Sequence, residues 1–261
     1  NLDFSLGLDV NSFKIQNTGL TINLANLSYV YKLQFDNDLF FLPAVTLGFG
    51  SSAVNPANLI FEDQLNTTTG FINTESIDRL APVISNVNYL DLGASFMLHS
   101  EKFMAGLTLK HLNKPNTSFN KEIPFEKPIK ISVQGAYEFN INPYERRYLP
   151  RYSYLFAYGS FTKFGDSVLF YLSQDFQLGE FSLGLSQQAS SLNTFALNNV
   201  GVSIGLAVEN FDFGILYNFP FQSPGAVFSP SIFELFVTFD FSIYRRNNRG
   251  IYKKLQIDNY Y

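Results

Sequence analysis

The chain has 261 residues, of which 17% are aromatic (29 Phe and 15 Tyr) and only 15% charged; a soluble domain is usually nearer ~25% charged. Its length admits two soluble domains or one large β-barrel. A net charge of −4 argues against a nucleic-acid partner, which needs a basic face. The absence of cysteine removes disulfides, a thiol nucleophile and Cys-based zinc sites.

No run approaches the ~18 apolar residues of a membrane-spanning helix. The nearest, Leu39–Gly50, is short and holds Pro43, Gly48 and Gly50. Apolar surface without an apolar helix predicts alternating strands. No secretory leader is read. Asn1 opens directly into a strand pattern, so a leader and some preceding chain are expected to be missing from the sequence.

Leu2, Phe4, Leu6, Leu8 and Val10 alternate with polar or small residues as strand one, and Asn11–Gly19 reads as a turn. Thr21–Gln34 is strand two, with a bulge expected around Asn26–Tyr29. After a tight turn at Asp36–Asp38 comes strand three, Leu39–Gly50, where Pro43 lacks a ladder donor and calls for an edge or bulge. The polar insertion Ser51–Asn88 precedes strands four (Tyr89–His99) and five (Phe103–Leu112). A second long loop, Asn113–Pro128, leads to strand six, with Ile129, Ile131, Val133, Tyr137 and Phe139 on one face.

A charged connection, Asn142–Pro150, precedes strands seven (about Arg151–Thr162) and eight (about Ser167–Gln177). Strand nine is Phe181–Gln188, strand ten Val200–Val208 and strand eleven Phe211–Phe219, followed by the loop Pro220–Pro230.

The closing stretch Ser229–Tyr244 puts Phe233, Leu235, Val237, Phe239, Phe241 and Ile243 on one face. Its dyad runs for about a dozen residues, close to the ~9–11 of a tilted transmembrane strand. The expectation is an all-β fold, a transmembrane antiparallel β-barrel with twelve visible strands, over residues 1–244. Short and long connections alternate, as outer-membrane barrels do with periplasmic turns and outside loops. That parity places both chain ends in the periplasm and makes 51–88, 113–128 and 220–230 the extracellular loops. Phe40, Phe103, Phe139, Phe181, Phe211 and Phe241 fall at predicted periplasmic strand ends, where an aromatic girdle belongs. A soluble sandwich with the same dyads would need to bury the phenylalanine face against a second sheet.

No catalytic constellation, metal-ligand spacing or phosphate loop is visible, and no cofactor is implied. His99 and His111, the two histidines, read as a turn residue and a strand-end residue. Glycines 93, 106, 184, 201, 205 and 214 fall on polar strand faces and thin the inner wall. Asp3, Asp9, Asp91, Glu138, Glu234 and Asp240 lie on inward faces against Lys110 and Lys130. They are hydrated or paired lumen groups or, in an open lumen, a cation-favouring lining. The tail 245–261 carries Arg245, Arg246, Arg249, Lys253 and Lys254, and suits either a solvated, headgroup-associated segment or a periplasmic docking element.

The segments GLTLKHLNKPNTSF at 106–119 and LPRYSYLFAYGSF at 149–161, with the closing strand, resemble the PorP/SprF family of Bacteroidota outer-membrane proteins. The resemblance implies a barrel of about fourteen strands and a part in type IX secretion and gliding motility. Such proteins hold a secreted adhesin or gliding protein, often by its C-terminal domain, and connect it to periplasmic secretion or gliding components. The implied partners therefore include outer-membrane lipid or lipopolysaccharide, the adhesin and those components. Candidate contacts are Asn113, Lys114, Asn116, Phe221 and Phe228 outside and the basic tail inside; the two phenylalanines equally suit packing at the mouth. The alternatives are a passive diffusion channel or small-solute transporter and, more remotely, an outer-membrane enzyme.

Overall fold

The computed structural model describes residues 3–239 apart from 16–18, 37, 55–59, 61, 66–69, 73–75, 77–85, 121–122, 145, 151–152, 192–194, 209–210 and 222–230. It contains thirteen antiparallel strands in one sheet. They are β1 (Phe4–Ile15), β2 (Leu20–Tyr31), β3 (Leu33–Asp36), β4 (Leu39–Ala53), β5 (Val87–His99), β6 (Phe103–Lys110) and β7 (Lys130–Asn140). Then follow β8 (Tyr154–Phe164), β9 (Ser167–Leu178), β10 (Phe181–Ser191), β11 (Phe195–Val208), β12 (Phe211–Pro220) and β13 (Ile232–Phe239).

The strands pair in the order β1, β2, β4 and then β5 to β13 in sequence; β3 lies off this path and pairs with β4. The expected barrel is corrected here: the sheet is open. Among the described residues β1 pairs with β2 alone and β13 with β12 alone. Alternation assigns each side chain to a face, and a one-sided open sheet needs the same alternation as a barrel. Closure is a separate condition, set by hydrogen bonds and register between the first and last strands.

The two faces follow the dyads. Leu8, Leu27, Leu47 and Leu92 stand opposite one another across β1, β2, β4 and β5, all exposed. One residue along, Asp9, Asn26, Gly48 and Asp91 make a polar row on the other face. Asp9 Oδ1 accepts from Asn26 Nδ2 at 3.2 Å. The Ser28 and Thr46 hydroxyls lie 3.0 Å apart in the next polar row, and those of Ser132 and Thr162 repeat the arrangement at 3.0 Å on β7 and β8.

Local departures have local causes. The register of β2 runs unbroken through Asn26–Tyr29, so no bulge is present there. The register shifts between Gln34 and Asp36 instead, and at Lys32 the pairing is only interrupted. The β2–β4 ladder ends at Val30↔Ala44 and resumes between β3 and β4 at Leu33↔Phe41, leaving Pro43, which has no donor, in the gap. β1 continues through the expected turn to Ile15 because its alternation changes phase. Leu8 and Val10 share a face with Ser12 and Lys14, while Phe13 and Ile15 share the face of Asp9.

Phe40 is a second correction. It is buried on the polar face beside His99, with Lys32 Nζ 4.4 Å from its ring centroid, and Phe41 takes the outer place, stacked with Phe35 and Phe96. Phe103, Phe139, Phe181 and Phe211 do lie at one end of the apolar face. Phe241 is outside the described residues.

Polar-face glycines make room. The space a Cβ would take at Gly50 is filled by the Tyr89 ring, at Gly214 by the Phe236 ring, and at Gly184 by Asp175 and Ser203.

Candidate partner-binding surface

Antiparallel order sends the connections 54–86, 111–129 and 221–231 to one end of the sheet. The short turns at 100–102 and 179–180 lie at the other end, together with 141–153. That last connection is long but folded around one side chain. Asn142 is buried, its Oδ1 accepts from Arg146 N at 2.7 Å, and its Nδ2 faces the carbonyls of Arg146, Leu149 and Pro150 at 3.2–3.3 Å.

The 111–129 connection is braced to β5 by three side chains. His111 and Lys114 adopt left-handed backbone angles, φ 61° and 44°. This turn brings His111 Nδ1 to 2.8 Å from Asp91 Oδ2. A strand continuing to Leu112, as the sequence suggests, would have put His111 on the apolar face. Asn113 then acts as a surrogate strand partner: Leu92 N donates to its Oδ1 at 3.0 Å, and its Nδ2 donates to Leu90 O at 2.8 Å. Asn116 Oδ1 accepts from the backbone of Ser118 and Phe125, both at 3.0 Å. Farther on, Lys127 Nζ donates to the Tyr89 hydroxyl at 2.8 Å.

Asn113 and Asn116 thus shape the connection, while Lys114 is exposed on it. Asn113→Ala should cost about 0.5–1.5 kcal/mol, because the N–H of Leu92 and the carbonyl of Leu90 exchange this partner for water. Thermal unfolding in detergent and the rate of proteolysis within 111–129 would register the change.

The long connections expose large apolar side chains that polarity-based reading of loops passes over. Phe71 is 75% and Phe125 62% exposed, with Ile60, Ile72 and Ile123 also exposed. Phe221 is exposed at the start of its connection, its N–H bonded to Asn198 O at 2.6 Å. Phe228 and the basic residues Arg245, Arg246, Arg249, Lys253 and Lys254 lie outside the described residues.

The polar face gathers the expected acids and bases unevenly. Lys110 and Lys130 stand directly opposite each other. Asp91 faces His111, Asp9 lies in its row, and Asp3 accepts the Lys32 N–H through its carbonyl at 2.7 Å. Glu138 and Asp175 flank Phe156 in one row that continues to Glu234 on β13. Asp175 and Asp212, which the sequence reading did not single out, line a cavity of about 370 Å³ with Tyr154 and Gln177. Asp175 shares the parity of Ser173 and Gln177, the signal that could have found it. Asp240 is outside the described residues.

Nothing in this arrangement assembles a reactive centre. Among the described residues no group of three or more His, Cys, Asp or Glu side chains is placed to hold a metal, and no described helix is long and apolar enough to cross a membrane. One sheet face is largely apolar and exposed, and one end carries long connections with exposed apolar side chains, one of them braced to β5. The family described as type IX secretion system membrane protein PorP/SprF matches residues 2–239. The chain belongs to the PorP/SprF family. No curated protein matches it significantly. PorP/SprF membership makes the chain a non-enzymatic outer-membrane component of type IX secretion. It also accounts for the exposed leucines and phenylalanines, because a face that meets hydrocarbon has no need of a second protein layer.

Proposed function

We propose that this PorP/SprF chain anchors or assists export of a type IX cargo, such as a secreted adhesin or gliding protein, and couples it to periplasmic machinery. The long connections face outward and hold the cargo or its C-terminal domain. The chain ends face the periplasm, where the tail 245–261 engages secretion or gliding components. The observation carrying this reading is the set of exposed apolar side chains at one end of the sheet, Ile123 and Phe125 on a connection tied to β5 and Phe71 and Ile72 on the connection 54–86. Apolar anchors on pre-positioned loops lose less entropy on binding than the same residues on free ones, and such anchors supply most of an interface's energy. Lys114, Phe221 and Phe228 extend that surface; Asn113 and Asn116 support it.

The test is purification of the native protein in mild detergent with mass spectrometry of what stays bound. Phe71→Ser with Phe125→Ser should reduce retained cargo at least about tenfold and leave the protein's abundance in the membrane unchanged. Deleting 245–261 should spare the cargo and release periplasmic components. Undiminished cargo in the double variant would refute the outer contact, and unchanged periplasmic partners the tail's role.

The alternative, a passive diffusion channel or small-solute transporter, draws on the acid-lined cavity of the polar face. A steady cation conductance that survives removal of every partner would favour it.

A further inference from the structure

The glycines of the two faces differ in what surrounds them. On the polar face most are obligatory, since neighbouring side chains fill the space of a Cβ. On the apolar face Gly135 and Gly159 stand opposite each other on β7 and β8. A Cβ at Gly135 would meet nothing closer than the Met104 carbonyl at 3.7 Å, and one at Gly159 nothing closer than Leu172 Cδ1 at 3.7 Å. Packing does not require these glycines, and both weaken their strands. A strand glycine without a packing reason often marks the close approach of a ligand or another backbone.

The pair forms the floor of a groove of about 580 Å³, walled by Val133, Phe161, Phe170 and Leu172. Phe161 and Phe170 meet edge to face at 5.0 Å. The amides near the wall satisfy each other: Gln174 and Gln187 exchange reciprocal hydrogen bonds of 3.3 and 3.2 Å. The groove thus offers carbon to an occupant and asks for no polar partner.

Along β8 toward the long-connection end, Lys163 is the next residue after Phe161 on the same face, about 7 Å farther along the strand. It is exposed and stands opposite Ile131 and Val168. A cation therefore sits at the head of an apolar trough on the face that membrane location turns toward lipid.

We propose that this groove is a binding site for one membrane lipid with an anionic phosphate headgroup, its acyl chain lying over Gly135 and Gly159 and its phosphate on Lys163. Carbon-lined walls fit the chain, and Lys163 matches the headgroup's charge. The site depends on membrane location and not on the cargo-anchoring reading.

Native mass spectrometry of the purified protein tests the site, after exchange into nanodiscs of equal phosphatidylglycerol and phosphatidylcholine. The wild-type protein should retain one lipid, with phosphatidylglycerol favoured about fivefold, as one lysine near a membrane surface provides. Gly135→Ile with Gly159→Ile should fill the trough and abolish retention, and the single Gly135→Ile, where space is greatest, should do so in part. Circular dichroism and heat-modifiable gel mobility would show that both remain folded. Lys163→Gln should keep the lipid and lose the headgroup preference. Wild-type protein that holds no lipid, glycine variants that hold as much, or loss of a bound protein in place of a lipid would each overturn the site.

Discussion

Leu47→Arg is expected to lower the stability of the membrane-inserted protein by about 2–4 kcal/mol, the cost of a cation on a lipid-facing strand near the bilayer midplane. Leu47 stands between Leu27 and Leu92 in the exposed leucine row, with no polar neighbour in that row to take up the charge. Ser95→Arg is the control. Ser95 lies on the polar face of β5, opposite Ala44 and Thr108, and the same charge there should cost no more than about 1 kcal/mol. Urea titration of folding into phosphatidylcholine vesicles measures both. Equal costs would mean that the leucine row packs against protein and that lipid does not solvate it.

Gly50→Val should be disruptive, at about 1–3 kcal/mol, although valine suits a strand far better than glycine does. The Tyr89 ring occupies the place a side chain would take at Gly50. Displacing it also strains the Lys127–Tyr89 hydrogen bond of 2.8 Å and the cation–π contact of 4.5 Å that hold the end of the 111–129 connection. The loss should therefore appear twice, as a lower melting temperature and as faster proteolysis within 111–129. Gly135→Val, where a Cβ makes only an ordinary contact at 3.7 Å, should show neither. Should the two variants behave alike, the Tyr89 ring has another place to go and does not position the connection.

Much of the sheet was legible by counting in twos. Val202, Ile204 and Leu206 against Ser203 and Gly205, or Ile131 and Val133 against Ser132 and Gln134, fall on the faces their parity assigns. Wherever a strand crosses the apolar band, side-chain period and solvent period coincide, so sequence and structure agree. The misreadings occur where that coincidence ends. At Asn11–Ile15 the alternation changes phase, and a continuing strand looks like a turn. At Phe40 an aromatic at a strand end suggests the girdle, yet its even position puts it with Leu42 and Ala44 on the polar face. At His111 a left-handed residue reverses the side-chain direction, and few sequence cues mark a non-glycine residue with that angle. The long connections read as loops, but their exposed Phe71 and Phe125 carry no periodicity to mark them.

By itself the sequence determined the all-β class, the order and approximate limits of the strands, the division into an apolar and a polar face, and the resemblance that the family match bears out. Each depends on local spacing along the chain, which the backbone's two-residue repeat converts directly into geometry. Only the tertiary structure decided that β1 and β13 do not pair, that Pro43 falls in a gap in the ladder, that Asp91 meets His111, and that Gly135 and Gly159 line an open groove where Gly50 and Gly214 are filled by aromatic rings. Those facts depend on which strands lie side by side and in what register, a matter of residues far apart in the chain on which a local alternation is silent.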